Sequence, residues 1–459
     1  MPKRKDKTQS PEERLQEMLV PESEQPYPVP ENWCWTYWGV VGDFFAGSGF
    51  KEECQGKQDL PIPFYKVGSL KSSDIQGYLQ DISNTVDDEI RELLHATLIP
   101  KNSLIFAKIG EAIRLNRRAL NSAPCCIDNN LMAFISKKCN FVYVYFWSQN
   151  IDLYKFTNAT TVPAIRKSDL ESISFPLPPL PEQQRIVDRI ESLFSKLDAA
   201  KTKAQAVVDS HESRKAAILH KAFTGELTKK WREENNISFE DWSFQPLKDC
   251  GTWSGGGTPS ISHPEYWDDG DIPWVTSKDM KSDVIAQTQI CTNQLGIENS
   301  SAIYSEKPAV LFVTRSGILR RTLPIAVIER PFTVNQDLKV LTPTDISVRY
   351  LFWACKSAEK KILSTCMKSG TTVESINFDR LKEFSIPVAP KEEQKAIVKT
   401  LEQLIRRENQ ATDAAGKIIL QIDAMKKYIL NRAFRGELGT NDPREESAVG
   451  LLMQDIEEK

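Results

Sequence analysis

The sequence has 459 residues, too many for one ordinary hydrophobic core, so we expect about two to four domains. Its 59 basic and 62 acidic residues exclude a uniformly basic nucleic-acid-binding protein, so any DNA contact must come from local basic patches. The nine cysteines form no C-x-x-C pair and the four histidines are scattered, which favours free, mostly buried thiols in a reducing compartment and no metal site. Without an apolar run of about eighteen residues or a secretory signal, the chain is expected to be cytoplasmic.

Two segments of mixed α/β character alternate with two long helices along the chain. A charged tail at 1–27 precedes the first α/β domain at 28–180, where the run FVYVYFW at 141–147 is typical of a strand. A helix at 181–228 connects it to the second α/β domain at 229–388, in which AVLFV at 309–313 and IAVI at 325–328 predict further strands. A second helix at 389–438 and an acidic tail at 439–459 follow. The expected fold is therefore two tandem α/β (α+β) domains separated by two long helices.

Both helical segments carry the expected start and stop signals. A proline precedes each periodic run, where it is tolerated because the first helical turn does not need its N–H group. A glutamate in the first turn is favourable to the helix dipole, and a glycine at the end can adopt the left-handed conformation of a helix cap. These residues are Pro181, Glu182 and Gly225 in the first helix, and Pro390, Glu393 and Gly436 in the second. Each helix has about forty residues and is roughly 60 Å long.

The apolar positions of the helices follow a heptad pattern, with breaks at His211 and Glu408. Alanines lie near the middle of both helices, so an antiparallel coiled coil would bring small residues together where the helices cross. The alternative is that each helix packs on its own domain or on another chain, and that alanine is present as a good helix former. The expected packing positions are Ile186, Leu193, Ala200, Ala204, Leu404, Ala411, Ala415 and Ile418.

The chain contains an internal two-fold repeat. Residues 161–227 align with 372–438 without a gap, and about a third of the positions are identical over roughly seventy residues. Within this alignment PLPPLPEQQRIV matches PVAPKEEQKAIV, and KAFTGEL matches RAFRGEL. The preceding segments correspond more loosely, as in IPFYKVGSLKSSD and IPWVTSKDMKSD. The period is far too long for a solenoid, so the repeat predicts two related units that address two related sites.

Basic and polar residues recur at matching places in the two copies and are the candidate DNA contacts. Arginine and lysine bind phosphates or guanine edges, and amides pair with adenine. The alternatives are a solvated surface with ordinary salt bridges and, for Asn129, Asn335 and Gln336, loop capping. The glycine-rich loop at 254–260 lacks a phosphate-loop motif, so a tight turn is the simpler interpretation. The candidates are Lys66, Ser69, Lys71, Lys108, Arg114, Arg117 and Arg118 in the first domain, and Thr258, Ser277, Lys278, Lys281, Arg315, Arg320, Arg321 and Asn335 in the second.

Signatures of catalysis are absent from the sequence. It has no phosphate loop, no N-P-P-[YF] or D-P-P-[YF] tetrapeptide of an amino-methyltransferase, and no G-x-S-x-G of a serine hydrolase. No acidic pair followed by E-x-K marks a nuclease centre. We therefore expect a protein without catalytic residues, a metal or a cofactor of its own.

Taken together, these motifs resemble the specificity subunit of type I restriction-modification enzymes, the HsdS family. The resemblance rests on VPENWCW, on GGTPSISHPEYWDDGDIPWVTSKDM, on the two strings that open the helices, and on KAFTGELTKKWREEN and RAFRGEL, which close them. It covers nearly the whole chain, and the motifs are specific in combination although none is specific alone. The first domain departs from the pattern because it has FAGSG in place of GGTPS, so the two half-sites are expected to differ in sequence.

The resemblance implies a DNA-binding subunit without catalytic activity. Each domain would be a target-recognition domain for one half of a split site in double-stranded DNA. The helix pair would set the gap and bind two modification subunits, which use S-adenosylmethionine to methylate adenine, and translocating restriction subunits with ATP and Mg would complete the enzyme. Half-sites one helical turn apart lie about 34 Å from each other, a distance that helices of the expected length can span.

Two other interpretations remain open at this point. One is a scaffold whose helices dimerise and whose duplicated domains bind protein; basic faces on both domains would argue against it. The other is a lone specificity subunit from a damaged system or with a regulatory role.

Overall fold

The chain forms two compact units, each with its own hydrophobic core. Unit 1 comprises Met1–Lys203 and Ile418–Lys459, and unit 2 comprises Ala204–Lys417. The computed structural model describes residues 10–74, 76–158, 162–368 and 373–457, so the first residues of the two repeat copies, Thr161 and Thr372, lie outside it. Among these described residues, no helix is long and apolar enough to cross a membrane, and no three potential metal ligands come together.

Unit 1 is built on small sheets of short strands. The strands are β1 (Cys34–Tyr37), β2 (Gly42–Ala46), β3 (Ile62–Tyr65), β4 (Thr85–Val86), β5 (Leu104–Ala107), β6 (Arg118–Leu120), β7 (Cys126–Ile127), β8 (Leu131–Ser136) and β9 (Ser174–Leu177). One antiparallel sheet has the order β2-β8-β5-β6, and a second has the order β4-β3-β7, in which β3 and β7 are parallel. The remaining pair is β1 with β9. Buried aromatic side chains such as Trp38, Phe106 and Trp147 fill the core between these strands and the helices.

Unit 2 has the same strand orders. Its strands are β10 (Ser243–Pro246), β11 (Gly251–Ser254), β12 (Ile272–Val275), β13 (Cys291–Thr292), β14 (Ala309–Val313), β15 (Ile325–Ile328), β16 (Thr333–Val334), β17 (Leu338–Pro343) and β18 (Ser385–Val388). The orders are β11-β17-β14-β15, β13-β12-β16 with β12 and β16 parallel, and β10-β18. The runs AVLFV and IAVI are strands β14 and β15, as predicted.

The helices differ widely in length, and two positions match the predicted helix ends. The helices are α1 (Pro11–Met18), α2 (Asp88–Leu93), α3 (Phe141–Gln149), α4 (Lys167–Glu171), α5 (Leu180–Asp209), α6 (His211–Phe223), α7 (Lys229–Asn235), α8 (Gln294–Glu298), α9 (Val348–Ser357), α10 (Glu359–Cys366), α11 (Phe378–Glu383), α12 (Lys391–Ala433) and α13 (Val449–Glu457). Gly225 and Gly436 follow α6 and α12 with φ of 80° and 71°, which confirms the left-handed caps. The heptad break at His211 coincides with the gap between α5 and α6, whereas α12, with 43 residues in all, continues through the heptad break at Glu408.

The aromatic run at 141–147 was predicted as a strand and is instead helix α3. The side chain of Asn140 starts this helix, because its oxygen accepts hydrogen bonds from the N–H groups of Val142 at 2.9 Å and Tyr143 at 3.4 Å. Six consecutive residues of α3 are buried, so the helix is enclosed on all sides. When a helix is buried all round, its apolar residues show no 3.6-residue period. Its β-branched and aromatic composition then predicts a strand instead of a helix.

Ion pairs within each unit connect the long helices in an antiparallel sense. In unit 1 Lys201 binds Asp423 at 2.9 Å, whereas Asp198, earlier on α5, is 2.6 Å from Lys426, later on α12. In unit 2 Arg214 binds Glu408 at 2.6 Å. These contacts agree with the antiparallel arrangement that the sequence favoured.

The predicted packing positions are correct only in part. Ile186, Ala204 and Ala415 are buried, and Leu193 and Leu404 are half-buried. Ala200, Ala411 and Ile418 are exposed, so their assignment to the packed stripe is wrong. The physical reason is that a heptad frame drifts by about 20° per heptad on a straight helix. On α12 the buried apolar positions are Ile397, Leu401, Ile405, Ala415, Ile422, Leu430 and Ala433.

Each long helix has a fully buried glutamate near its start. Glu182 of α5 binds the segment that follows α12, and Glu393 of α12 binds the segment that follows α6. In unit 1 Glu182 accepts hydrogen bonds from Thr440 Oγ1 at 2.7 Å and from Arg185 at 2.9 Å. Burial raises the pKa of Glu182 above its usual value, and these hydrogen bonds offset only part of that rise. In unit 2 Glu393 accepts from Thr228 Oγ1, Arg232 Nη1 and Trp242 Nε1 at 2.6, 2.6 and 2.8 Å. The first-turn glutamates therefore do more than favour the helix dipole.

The two segments expected to be charged tails are partly folded into unit 1. Helix α1 contacts α13, and Ala448 and Leu452 are completely buried in the core of this unit. The N–H of Ala448 donates to the carbonyl of Asn32 at 2.9 Å. The acidic composition concealed these few apolar residues, which are spaced four apart on one helix face.

All nine cysteines are free thiols, and seven of them are buried. Burial raises the pKa of Cys126 and of Cys250 to about 11, so these thiols are uncharged at neutral pH. The expectation of free, mostly buried cysteines is confirmed.

Candidate nucleic-acid interface

A cleft of about 1360 Å³ in unit 1 brings four of the predicted DNA-binding residues together. Its wall includes side chains from α5 and from the last part of α12, in addition to loops of the α/β part. Six cations and two carboxylates line it, so its charge is positive at neutral pH. The cations are Lys71, Arg114, Arg117, Arg118, Lys426 and Lys427, and the carboxylates are Glu191 and Asp198.

Arg114 is the best-oriented exposed cation of this cleft. It follows a short 3-10 turn, Glu111–Ile113, that comes after β5. Its Nε binds Glu111 at 2.8 Å, its guanidinium lies 3.8 Å from the centre of the Tyr154 ring, and it also donates to the Tyr154 hydroxyl. Stacking and hydrogen bonding hold the guanidinium in one orientation, which lowers the entropy lost on binding a phosphate.

Arg118 has a structural position and is not available for a direct DNA contact. Only 7% of the residue is exposed, and its guanidinium donates to Asn116 Oδ1 at 2.8 Å and to the carbonyl of Ile151 at 3.2 Å. Burial lowers the pKa of Arg118 to about 9, so it still carries its charge at pH 7. Its Nε has no hydrogen-bond partner. The residue contributes positive potential to the cleft from behind its surface.

The other candidates of the first domain differ in how far their side chains are exposed to solvent. Ser69 is buried, and its Oγ accepts the backbone N–H of Lys66 at 3.0 Å, so its assignment as a DNA contact is wrong. Lys66 donates to Gln55 Oε1 at 2.8 Å. Lys108 is half-buried, and burial lowers its pKa while Asp128 opposes this change. Lys71 is exposed and Arg117 is half-buried, so both remain accessible to a ligand in the cleft.

The arginines of unit 2 lie on or beside the turn that corresponds to the Arg114 turn. The 3-10 turn Gly317–Arg320 follows β14 as the Arg114 turn follows β5. Arg315, Arg320 and Arg321 are all exposed. Arg320 binds Glu374, and this hydrogen bond holds the pKa of the Glu374 carboxyl below its usual range. The turn and the residues that flank it therefore present three guanidinium groups to solvent beside one carboxylate.

A second group of candidates lies where the parallel strands β12 and β16 end. The carboxyl ends of parallel strands meet at one sheet edge, and Ser277, Lys278 and Gln336 follow the two strands there. Lys278 and Gln336 are exposed, Ser277 is half-buried, and the Thr258 hydroxyl donates to Gln336 Oε1 at 2.6 Å. Lys281 is also exposed, a few residues further along the chain.

Asn335 precedes Gln336 and faces inward. It is only 8% exposed, and its side-chain oxygen accepts the N–H of Asp337 at 3.2 Å. The loop-capping alternative is therefore correct for Asn335, and its assignment as a base contact is wrong. The glycine-rich loop is a tight turn against β16, because the Gly257 N–H donates to the Val334 carbonyl at 3.0 Å and a Cβ at Gly256 would collide with the same carbonyl.

Sequence reasoning missed Lys426 and Lys427, which line the unit 1 cleft. Both lie on α12, far along the chain from the cleft residues of the α/β part. No local motif relates them to the first domain.

Comparison with known proteins gives one family throughout. A family model described as type I restriction modification DNA specificity domain matches residues 39–208 and 239–415. The specificity subunit of the type I restriction enzyme EcoR124I/EcoR124II of Escherichia coli is 27% identical over 299 residues, which are 64% of this chain and 69% of the relative. The EcoDI specificity subunit of Escherichia coli is 25% identical over 320 residues, 66% of this chain and 70% of the relative.

Two solved structures share the fold. The HsdS subunit from Thermoanaerobacter tengcongensis matches with a TM-score of 0.62 at 18% identity, over 91% of this chain and 100% of that one. A chain from a study of complex assembly and conformational transition in the type I R-M system matches with a TM-score of 0.64 at 18% identity, over 90% of this chain and 100% of that one. At this identity the likeness concerns the fold alone.

Proposed function

The chain belongs to the family of type I restriction-modification DNA specificity proteins, and we propose that each of its two units recognises one half of a split site in double-stranded DNA. The observation that carries this proposal is one exposed arginine on the same short turn in both units, Arg114 after β5 and Arg320 after β14. The arginine recurs in the part of the repeat where the two copies are only loosely similar, which favours a shared role over an ordinary solvated residue. Two units that bind the same polyanion need the same positive charge twice.

The unit 1 cleft supports a phosphate-directed contact on the first half-site. Its cations come from the α/β part and from the long helices, and its buried arginine, Arg118, raises the potential without occupying the surface. Charge at the mouth of a cleft attracts a polyanion and fixes its position, but it carries no sequence information. Base recognition must come from other side chains nearby.

The long helices supply the spacing in this proposal. At 1.5 Å per residue, the 43 residues of α12 extend over about 65 Å, longer than the roughly 34 Å between half-sites one helical turn apart. We place α5, α6 and α12 in an antiparallel coiled coil that sets the gap and binds two methyltransferase subunits. Those subunits would bring S-adenosylmethionine, and restriction subunits would bring ATP and Mg, because this chain is the recognition component.

The test is the methylome of a restriction-negative host that expresses this chain together with the modification subunit encoded beside it, determined by single-molecule sequencing. We expect a new methylated motif with two short defined halves and a fixed gap. Failure of two well-folded proteins to co-purify would overturn the docking part of the proposal. Co-purification without any new methylated motif, in a host where a related complex is active, would overturn the recognition part.

A further inference from the structure

Each unit presents a three-residue turn after the second of its parallel strands. In unit 1 the turn is Asp128, Asn129 and Asn130 after β7, and in unit 2 it is Asn335, Gln336 and Asp337 after β16. The loose sequence similarity of this region conceals the correspondence, because the two turns have no identical residue at the same position. Their backbone hydrogen bonds nevertheless correspond one by one.

The first residue of each turn is buried and holds the turn on the sheet. Asp128 donates its N–H to the carbonyl of Tyr65 at 2.9 Å, and Asn335 donates to Val275 at 3.0 Å. The side-chain oxygen of the same residue accepts the N–H of the third residue, at 3.0 Å in unit 1 and 3.2 Å in unit 2. Its carbonyl accepts from the leucine that begins the next strand, at 3.0 and 3.3 Å. The frame of the turn is therefore complete without the middle residue.

The middle residue is exposed in both turns, and in both it carries a carboxamide: Asn129 in unit 1 and Gln336 in unit 2. Since the frame does not use this side chain, stability does not require an amide at the tip. An amide that recurs at equivalent exposed tips, on the two units that address DNA, indicates a role in recognition. A carboxamide can accept from N6 and donate to N7 of adenine at the same time.

A neighbouring hydroxyl fixes the amide in unit 2 only. Thr258 donates to Gln336 Oε1 at 2.6 Å, which leaves a second lone pair on that oxygen and the amide NH₂ group for a ligand. The corresponding loop of unit 1 approaches its sheet in the same way, through the Ser48 N–H to the Ile127 carbonyl at 3.0 Å, but its next residue is Gly49. Both tips therefore carry a carboxamide, but the two side chains differ in length and in how they are oriented.

We infer that Asn129 and Gln336 are base-recognition residues, one for each half-site, and that each pairs with an adenine edge in the major groove. This inference rests on the proposed function, because it assigns a base contact within the DNA-binding units. Asn129 is short and no hydroxyl of the described residues donates to it, whereas Gln336 is longer and is fixed by Thr258. The contacted adenine is therefore expected at a different position in each half-site.

The experiment is a selection from a randomised split-site DNA library with the full chain in complex with its modification subunit. Wild-type chain is compared with Asn129→Ala, Gln336→Ala and Gln336→Glu. Gln294→Ala is the control, because Gln294 is an exposed glutamine of unit 2 that belongs to α8 and not to this turn. We expect each alanine variant to lose about tenfold in preference for adenine at one position of one half-site only. Glutamate accepts from N4 of cytosine, so Gln336→Glu should shift that position towards cytosine.

The outcomes separate the inference from the proposed function. If wild-type chain selects no split site, the proposed function is wrong. If wild-type chain selects a split site and the alanine variants keep every preference, the base-recognition assignment is wrong. A uniform loss of affinity for all sequences would also overturn it, because that pattern belongs to a phosphate contact. Unchanged urea unfolding of the variants is expected from their exposed positions.

Discussion

Replacing Glu393 with alanine should destabilise unit 2 strongly, because it leaves a buried arginine without its counter-charge. The Glu393 side chain is fully buried and that of Arg232 is 9% exposed, and their atoms Oε1 and Nη1 are 2.6 Å apart. The same carboxylate accepts from Thr228 and Trp242. Removing one partner of a buried ion pair costs about 3–5 kcal/mol. For a unit of this size we expect the melting temperature to fall by roughly 10 °C.

Urea unfolding followed by circular dichroism measures this loss. The matched control is Glu392→Ala, one residue earlier, whose carboxylate is exposed and pairs with exposed Lys395; its cost should stay below about 0.5 kcal/mol. A second variant removes both charges, Glu393→Met with Arg232→Met, and should recover most of the stability. Equal unfolding midpoints for Glu393→Ala and Glu392→Ala would refute the reasoning, since they would mean that Arg232 is well solvated.

Two further predictions concern the helices and the arginine turn. Ala204→Leu and Ala415→Leu should each cost about 1–3 kcal/mol by overpacking buried positions, whereas Ala200→Leu and Ala411→Leu, at exposed positions, should be nearly neutral in thermal unfolding. Arg320→Ala combined with Arg321→Ala should lower the slope of log affinity against log salt by about 2 in a DNA-binding titration, because two phosphate contacts are lost. An unchanged slope would remove both arginines from the interface.

The sequence predicted the long helices well because their signals are local. Proline, first-turn glutamate and terminal glycine act within a few residues, and the glycine caps occur with the expected positive φ at Gly225 and Gly436. Strands β14 and β15 were predicted for the same reason, as short β-branched runs between turns. Helix α3 was not, since a helix that is buried on all sides loses the period by which helices are recognised.

The candidate interface was predictable only as a set of residue types. Arg117 and Arg118 are neighbours in sequence, yet one is half-buried at the cleft and the other is enclosed by Asn116 and Ile151. Ser69 and Asn335 are likewise polar residues whose hydrogen bonds complete turns. Which of two adjacent polar residues faces solvent depends on the register of a strand and the geometry of a turn, and both are tertiary properties. Lys426 lies in the cleft because α12 passes beside the first α/β domain. No local sequence signal indicates that contact.

The two equivalent turns separate the residues that hold the fold from the residues that are exposed to a ligand. Asp128 and Asn335 differ in charge but make the same hydrogen bonds, so the frame tolerates a change of residue that keeps its acceptor. Asn129 and Gln336 differ in length and contribute nothing to that frame. A domain built in this way can change the tip residue at little cost in stability, because the buried hydrogen bonds remain satisfied. Because the tip residue is independent of the frame, the same fold can occur twice in one chain with a different exposed tip in each unit. A protein that recognises two different half-sites requires this combination.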